Sequence, residues 1–368
     1  MDRKIIFTWV LAFVFAYFTV GLFLVFYEDS APNTPEEEPN SLHTVGSVYF
    51  AQALVPPDTG PEINNVKAIH LAYGTYLNSS YETILEEVEK SDINAIVFEI
   101  KNPLGWVALN SETHMEALRK VLPELEDRGV HAVARLVLFQ DPELISSNPE
   151  LAIVNSATGG AWSDYKGIVW SDPTNKNVWR YNIDIANKAY AIGFDEVNFD
   201  YVRFPTDGPL KLAQYDALDE FGTRTNTIVE FLKFAQAEIP RGMVLSVDLF
   251  GMTFINDQLV IGQSIADIAP YVDVIYPMPY PSHYPDGFIG LSNPAEYPYE
   301  VLDYTLRLGK NKLKDSDVVI RPWLQDFNLG AVYDVSKIHA QIRALKDHNI
   351  ETWALWNASN RYTWSAVK

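Results

Sequence analysis

The sequence predicts an α/β protein: a (β/α)8 TIM barrel preceded by an N-terminal transmembrane helix and a disordered linker. Three observations carry this expectation. The chain opens on a long uncharged run, continues through a Pro- and Glu-rich stretch, and then alternates β-rich runs with helical patterns eight times.

The opening reads MDRKIIFTWVLAFVFAYFTVGLFLVFYEDS. Residues 5–27 carry no charge, and as a helix they span roughly 35 Å, enough for the hydrocarbon core with some tilt. Arg3 and Lys4 precede the run, and Glu28 and Asp29 follow it. That asymmetry puts the N-terminus in the cytoplasm and the remainder on the extracytoplasmic side. A cleavable signal peptide has a shorter apolar region and a small-x-small site. FYEDSAPN offers no convincing site, so residues 1–27 read as a cytoplasmic stub and single-pass membrane anchor; a cleaved signal would export the chain equally. Residues 28–60, beginning EDSAPNTPEEEPNSLHT, start with too little apolar surface to fold and read as a flexible tether. Residues 61–368 form the barrel domain.

The β-rich runs are VKAIHLAYG (66–74), NAIVFEIKN (94–102), VHAVARLVLF (130–139), DEVNFDYVRFP (195–205), MVLSVDLFG (243–251), VDVIYPMPY (272–280), DVVIRPWLQDF (317–327) and ETWALWNAS (351–359). Helical patterns such as HMEALRKVLPELEDRG and VSKIHAQIRALKDHN lie between them. Such alternation means parallel strands joined by crossover helices, and eight units close into a barrel. An open doubly wound sheet is the main rival. It usually carries a Gly-rich phosphate loop after its first strand, and LAYGTYLNSS is not one.

The chain has 28 basic and 48 acidic residues among 368, a formal charge of −20, which argues against nucleic acid as a partner. Cysteine is absent, so disulfides, thiolate nucleophiles and thiolate metal sites are excluded. The seven histidines are scattered without ligand spacing, and neither a metal nor another cofactor is expected. No G-x-S-x-G elbow supports a serine triad.

Barrel active sites sit at the C-terminal ends of the strands, and side chains alternate between the interior and the helix layer. In the fourth run Val197, Phe199 and Tyr201 share one parity, and Asn198 and Asp200 the other. The apolar set belongs against the helices, which aims Asn198 and Asp200 inward. Arg203 follows, either pairing with Asp200 or gripping a substrate. In the fifth run Ser246 and Asp248 take the inward parity, setting Asp248 beside Asp200 at the strand tops. Neighbouring strands lie about 4.8 Å apart, so the two carboxylates approach the spacing of a glycosidase pair. Glu99 and Lys101 share a parity on the second run, as a structural bridge or as a third carboxylate with its cation. Arg135 is an inward candidate on the third run, with Glu99 or Asp200 as its counter-charge.

Aromatic and amide side chains crowd the other strand ends: Tyr276, Tyr280 and His283 around the sixth loop, Trp323 and Gln325 on the seventh run, Trp356 and Asn357 on the eighth. Trp and Tyr faces stack on sugar rings, and amides bond ring hydroxyls; the same residues also build ordinary cores. His283 reads as a proton shuttle or a loop hydrogen-bonder. The long connection between the third and fourth runs holds Trp162, Asp164, Tyr165, Lys166, Trp170 and Asp172 and is expected to wall one side of the cleft. Asp172, followed by Pro173, reads as the cap of the next helix.

Together, GFDEVNFDYVRFP, YPSHY, WSDYKGIVWSDPTNKNVW and ALWNASNRYT resemble the putative glycoside hydrolase domain family of bacterial barrel proteins, over roughly residues 66–364. The resemblance implies a (β/α)8 barrel acting on polysaccharide outside the cytoplasm. By position it makes Asp200 the fourth-strand Asp, followed by Arg203, and Asp248 the fifth-strand Asp. The family's second strand usually ends in an Asp-Val-Lys-Asp-like segment. Here FEIKNPLG keeps Lys101 but has Glu99 and Asn102 in place of Asp, a departure that argues against a second-strand catalytic role or for a shifted substrate.

The expectation is therefore an exported, membrane-anchored glycoside hydrolase with Asp200 and Asp248 as its catalytic carboxylates, in either order of acid and nucleophile or base. Glu99, Lys101, Arg135, Asn198, Arg203, Tyr276, Tyr280, His283, Trp323, Gln325 and Asn357 are expected to bind substrate. The first rival is a non-catalytic carbohydrate-binding envelope protein on the same scaffold. The second is a deacetylase or lyase acting on the same polymers.

Overall fold

The computed structural model describes residues 63–368. The expected membrane helix (1–27) and linker (28–60) lie outside the described residues. Among the described residues no helix is long and apolar enough to cross a membrane.

The core of the fold is a curled, nine-stranded parallel sheet. Its strands are β1 (Lys67–Leu71), β2 (Ala95–Lys101), β3 (His131–Val137), β4 (Glu196–Asp200), β5 (Val244–Phe250), β6 (Val274–Met278), β7 (Val319–Ile320), β8 (Trp323–Gln325) and β9 (Trp353–Trp356). The order across the sheet is β8-β9-β1-β2-β3-β4-β5-β6-β7. Each expected run supplies one strand, except that the seventh supplies β7 and β8. Pro322 has no N–H to give to the ladder, so the strand breaks there. The broken strand still serves both neighbours: Arg321 N–H donates to Ile275 O at 2.9 Å and Ala354 N–H to Pro322 O at 2.9 Å. The two ends of the sheet order are thus adjacent in the chain, and the sheet curls back on itself as a TIM-like barrel.

The crossovers run through α1 (Ser80–Glu89), α2 (Glu112–Asp127), α3 (Lys176–Ala191), α4 (Arg224–Glu238), α5 (Ile265–Ile268), α6 (Pro298–Lys312) and α7 (Val335–Asp347). On α2 the buried residues Leu118, Val121, Leu122 and Leu125 recur at helical spacing and form one stripe. The third helix starts later than Asp172 suggests. Its N-cap is Asn175, whose side chain accepts from Asn177 N–H. Asp172 is buried instead and accepts from Thr174 N–H at 2.8 Å and from Asp216 N–H at 2.7 Å, so it ties together the loops before and after β4.

Inward side chains stack in layers contributed by alternate strands. Near the N-terminal end, Glu196 accepts from Arg321 Nη1 at 2.8 Å and from Tyr276 Oη–H at 2.8 Å, and meets His131 Nε2 at 3.1 Å. This corrects the expectation for Tyr276: β6 runs on to Met278, so Tyr276 lies mid-strand and its hydroxyl points away from the cleft. Burial raises the Glu196 pKa, but Arg321 and His131 outweigh it and hold the group at about 2. An unfolded Glu titrates near ~4.3. The ionised group therefore contributes stability above that pH, and the contribution is lost as pH falls toward 2. Glu196→Gln is expected to cost about 3–5 kcal/mol at neutral pH by stranding Arg321. It should also flatten the loss of stability on acidification; an unchanged acid slope in urea melts would refute this account.

Candidate active site

The C-terminal ends of β2 to β5 converge on one guanidinium. Arg135 of β3 donates through Nη1 to Glu99 Oε1 at 2.9 Å and through Nη2 to Asp200 Oδ2. Its Nε lies 3.6 Å from Asp248 Oδ2. The guanidinium carbon lies 5.0 Å over the Trp356 ring. Burial disfavours the cation, yet Asp200, Glu99 and Asp248 together hold the Arg135 pKa above its ordinary value.

Alternation places these groups as expected on β4: Val197 and Phe199 join the outer core, while Asn198 faces inward to Asp248. Asp200 is the last residue of β4. Its Oδ1 accepts the Tyr201 N–H at 2.6 Å. Tyr201 has φ 52, a left-handed turn that costs a non-glycine residue roughly 1–2 kcal/mol and swings the chain out of the strand.

Asp248 lies deeper. Side-chain exposure falls from 13% at Glu99 to 9% at Asp200 and 1% at Asp248. The layering accounts for the order. Glu99 and Asp200 sit at the mouth on β2 and β4, while Asp248 shares the layer beneath with Arg135, Trp323 and His70. Asp248 Oδ1 accepts from Asn198 Nδ2 at 3.0 Å and Trp323 Nε1 at 2.8 Å, and its Oδ2 makes no hydrogen bond. Burial first, and the neighbouring Asp200 charge second, push its pKa well above the usual carboxylate range. One guanidinium cannot neutralise three carboxylates, so the most buried one is the most easily protonated.

Several expected substrate contacts are engaged elsewhere. Lys101 leaves the site because a bulge between Glu99 and Lys101 shifts the β2–β3 register, pairing Glu99 with Arg135 but Lys101 with Leu136. That reverses its parity: Lys101 is buried against Asp141 at 2.6 Å and Asn182 at 2.8 Å. Gln325 is fully buried, accepting from Ser282 Oγ–H at 2.9 Å and donating to Phe327 O at 3.0 Å. Asn357 staples its own loop, donating to Arg361 O at 2.8 Å and accepting from Ser359 N–H at 2.9 Å. Trp323 and Asn198 are buried and hold Asp248 rather than a ligand. Arg203 packs 5.0 Å from the Trp170 ring and 4.8 Å from Tyr201, and donates to Phe204 O at 3.0 Å. Tyr280 and His283 meet edge to face at 5.1 Å. Burial pulls His283 down to about 3, which favours its neutral form near pH 7.

The sequence reading passed over His70. Its ring stacks on Trp356 at 4.0 Å and is buried among the inward side chains. Burial, then the Arg135 charge, keep it well below its ordinary pKa. The inward parity it shares with Ala68 was the available signal.

A family model described as "Putative glycosyl hydrolase domain" matches residues 68–362. The chain belongs to this family. The motif resemblance read from the sequence is thereby shown, and membership makes the chain a glycoside hydrolase by class, acting on glycans. No curated protein matches the chain. Solved structures that do match include a hypothetical protein from Ruminiclostridium thermocellum ATCC 27405, 35% identical over 49% of this chain and 96% of that one, with a TM-score of 0.43. The PgaB (BpsB) glycoside hydrolase domain from Bordetella bronchiseptica is 13% identical over 82% of this chain and 97% of that one, with a TM-score of 0.55. The Bacillus cereus spore cortex-lytic enzyme SleL is 12% identical over 82% and 73%, with a TM-score of 0.51. At such identities the last two show a shared fold.

Proposed function

We propose that this chain is an exported glycoside hydrolase, tethered to the cell membrane by residues 1–27 through the 28–60 linker, whose 61–368 (β/α)8 domain cleaves extracellular or cell-wall polysaccharide with two carboxylates. The observation that carries the reading is the cluster of Glu99, Asp200 and Asp248 around Arg135 at the strand ends. The two Asp side chains sit in different environments, Asp200 at the mouth and Asp248 buried beneath it, the arrangement that separates acid and base roles. Asp200 opens toward the cleft, accepting from Arg135 and the Tyr201 N–H, and acts as nucleophile or base. Burial and the neighbouring Asp200 favour the protonated form of Asp248, which acts as the acid. The greater exposure of Glu99 favours a second assignment, in which Glu99 meets the leaving oxygen and Asp248 tunes the pair. The name of one fold relative, a spore cortex-lytic enzyme, supports envelope glycans as the substrate class.

The full chain, incubated with a panel of bacterial exopolysaccharides and cell-wall glycans, is expected to release reducing ends from at least one. Tight binding without release would instead favour the carbohydrate-binding scaffold. Release of acetate, abolished by chelation, would favour a metal-dependent deacetylase.

A further inference from the structure

The rim beside Glu99 carries aromatic surface that the two-carboxylate chemistry does not use. The loop after β2 leaves Trp106 51% exposed. Tyr73, in the loop after β1, lies 6.4 Å from the Trp106 ring and 4.9 Å from His114. The Tyr73 N–H donates to Glu99 Oε2 at 3.1 Å, so the ring pair starts at the cleft carboxylate itself.

The loop that carries the exposed indole is also fixed. Asn102 Oδ1 accepts the N–H groups of Leu104 at 3.0 Å and Trp106 at 3.1 Å. The Asn102 N–H donates to Trp106 O at 3.1 Å, and Lys101 bridges to Val107. Gly105 turns the loop at φ +86, where a Cβ would lie 2.1 Å from Asp141 Oδ1. A loop pinned this way has little backbone ordering left to lose when a ligand covers its indole. Large aromatics left in water beside a cleft are the usual anchors of a binding surface.

We infer that Trp106 forms a glycan subsite whose exposed indole stacks on the C–H face of one pyranose ring, with the tilted Tyr73 ring as its side wall, next to the unit held at Glu99 and Asp200. The ligand class rests on the hydrolase reading; the site rests on the rings and the pinned loop. A sugar offers a flat apolar face to the indole and hydroxyls that add to the hydrogen bonds Glu99 already accepts from Arg135 and Tyr73.

The test uses the full chain carrying Asp200→Asn, so that ligand is not consumed, titrated calorimetrically with chitohexaose, cellohexaose and maltohexaose. At least one hexasaccharide is expected to bind. Trp106→Ala should weaken it by about tenfold, a loss of roughly 1.4 kcal/mol, and Trp106→Phe by no more than about threefold because a stacking face remains. Absence of binding by all three, or equal affinity in Trp106→Ala, overturns the subsite. Reducing-end release by the parent separates the two readings. Hydrolysis that Trp106→Ala leaves untouched in KM removes the subsite and keeps the hydrolase. Trp106-dependent binding without hydrolysis of any polymer does the reverse.

Discussion

Asp200→Asn is expected to lower kcat by about a thousandfold on any polymer the parent cleaves, with the fold intact. Asn keeps the size and one acceptor for the Tyr201 N–H but removes the charge opposite Arg135. The loss should therefore fall on chemistry rather than on substrate binding, leaving KM within a few-fold. Asp248→Asn gives a different signature. Asp248 holds its proton well above the usual carboxylate range, and an acid must be protonated to act. In the parent, kcat/KM should fall on the alkaline side as that proton is lost, and Asp248→Asn should remove this limb along with most of the rate. If the alkaline limb survives in Asp248→Asn and disappears in Glu99→Gln, the acid is Glu99. Full hydrolysis by Asp200→Asn would end the two-carboxylate reading altogether.

Much of this site was legible before any coordinates. Strand alternation aimed Asn198, Asp200 and Asp248 inward, and a buried Arg135 had to find carboxylates. What escaped the sequence has specific causes. The bulge after Glu99 inverts the parity of Lys101, and nothing in FEIKNPLG announces a one-residue register shift. Strand tilt separates Asp200 and Asp248 into different layers, although parity treats them alike. Gln325 and Asn357 were placed at the right end of the barrel, but their hydrogen bonds close loops, and side-chain type cannot tell a loop staple from a ligand contact. Tyr276 was misjudged for length: the strand continues two residues beyond it. The eightfold rhythm survived because long periodic patterns outlast local irregularities such as the break at Pro322.

Arg135→Met should show how far the site depends on that one cation. The side chain is 3% exposed and faces three carboxylates. Removing it leaves buried negative charge without a partner, a loss of about 3–5 kcal/mol at neutral pH. The sign of the pH dependence follows. Without the guanidinium, the carboxylates bind protons more tightly in the folded state than in the unfolded chain, where they titrate near ~3.9–4.3. The folded state then holds more protons across that window, so stability falls as pH rises through it. The deficit of Arg135→Met relative to the parent should therefore be largest near neutral pH and shrink on acidification. Urea midpoints for the two chains at matched pH values measure this gap directly, and the acid lability arising from Glu196 cancels because both chains share it. Arg135→Lys keeps a charge but loses the planar fork that reaches Glu99 and Asp200 together, and is expected to recover part of the stability and little of the activity. A gap independent of pH would mean that Arg135 is held for its packing against Trp356, and that the three carboxylates do not depend on its charge.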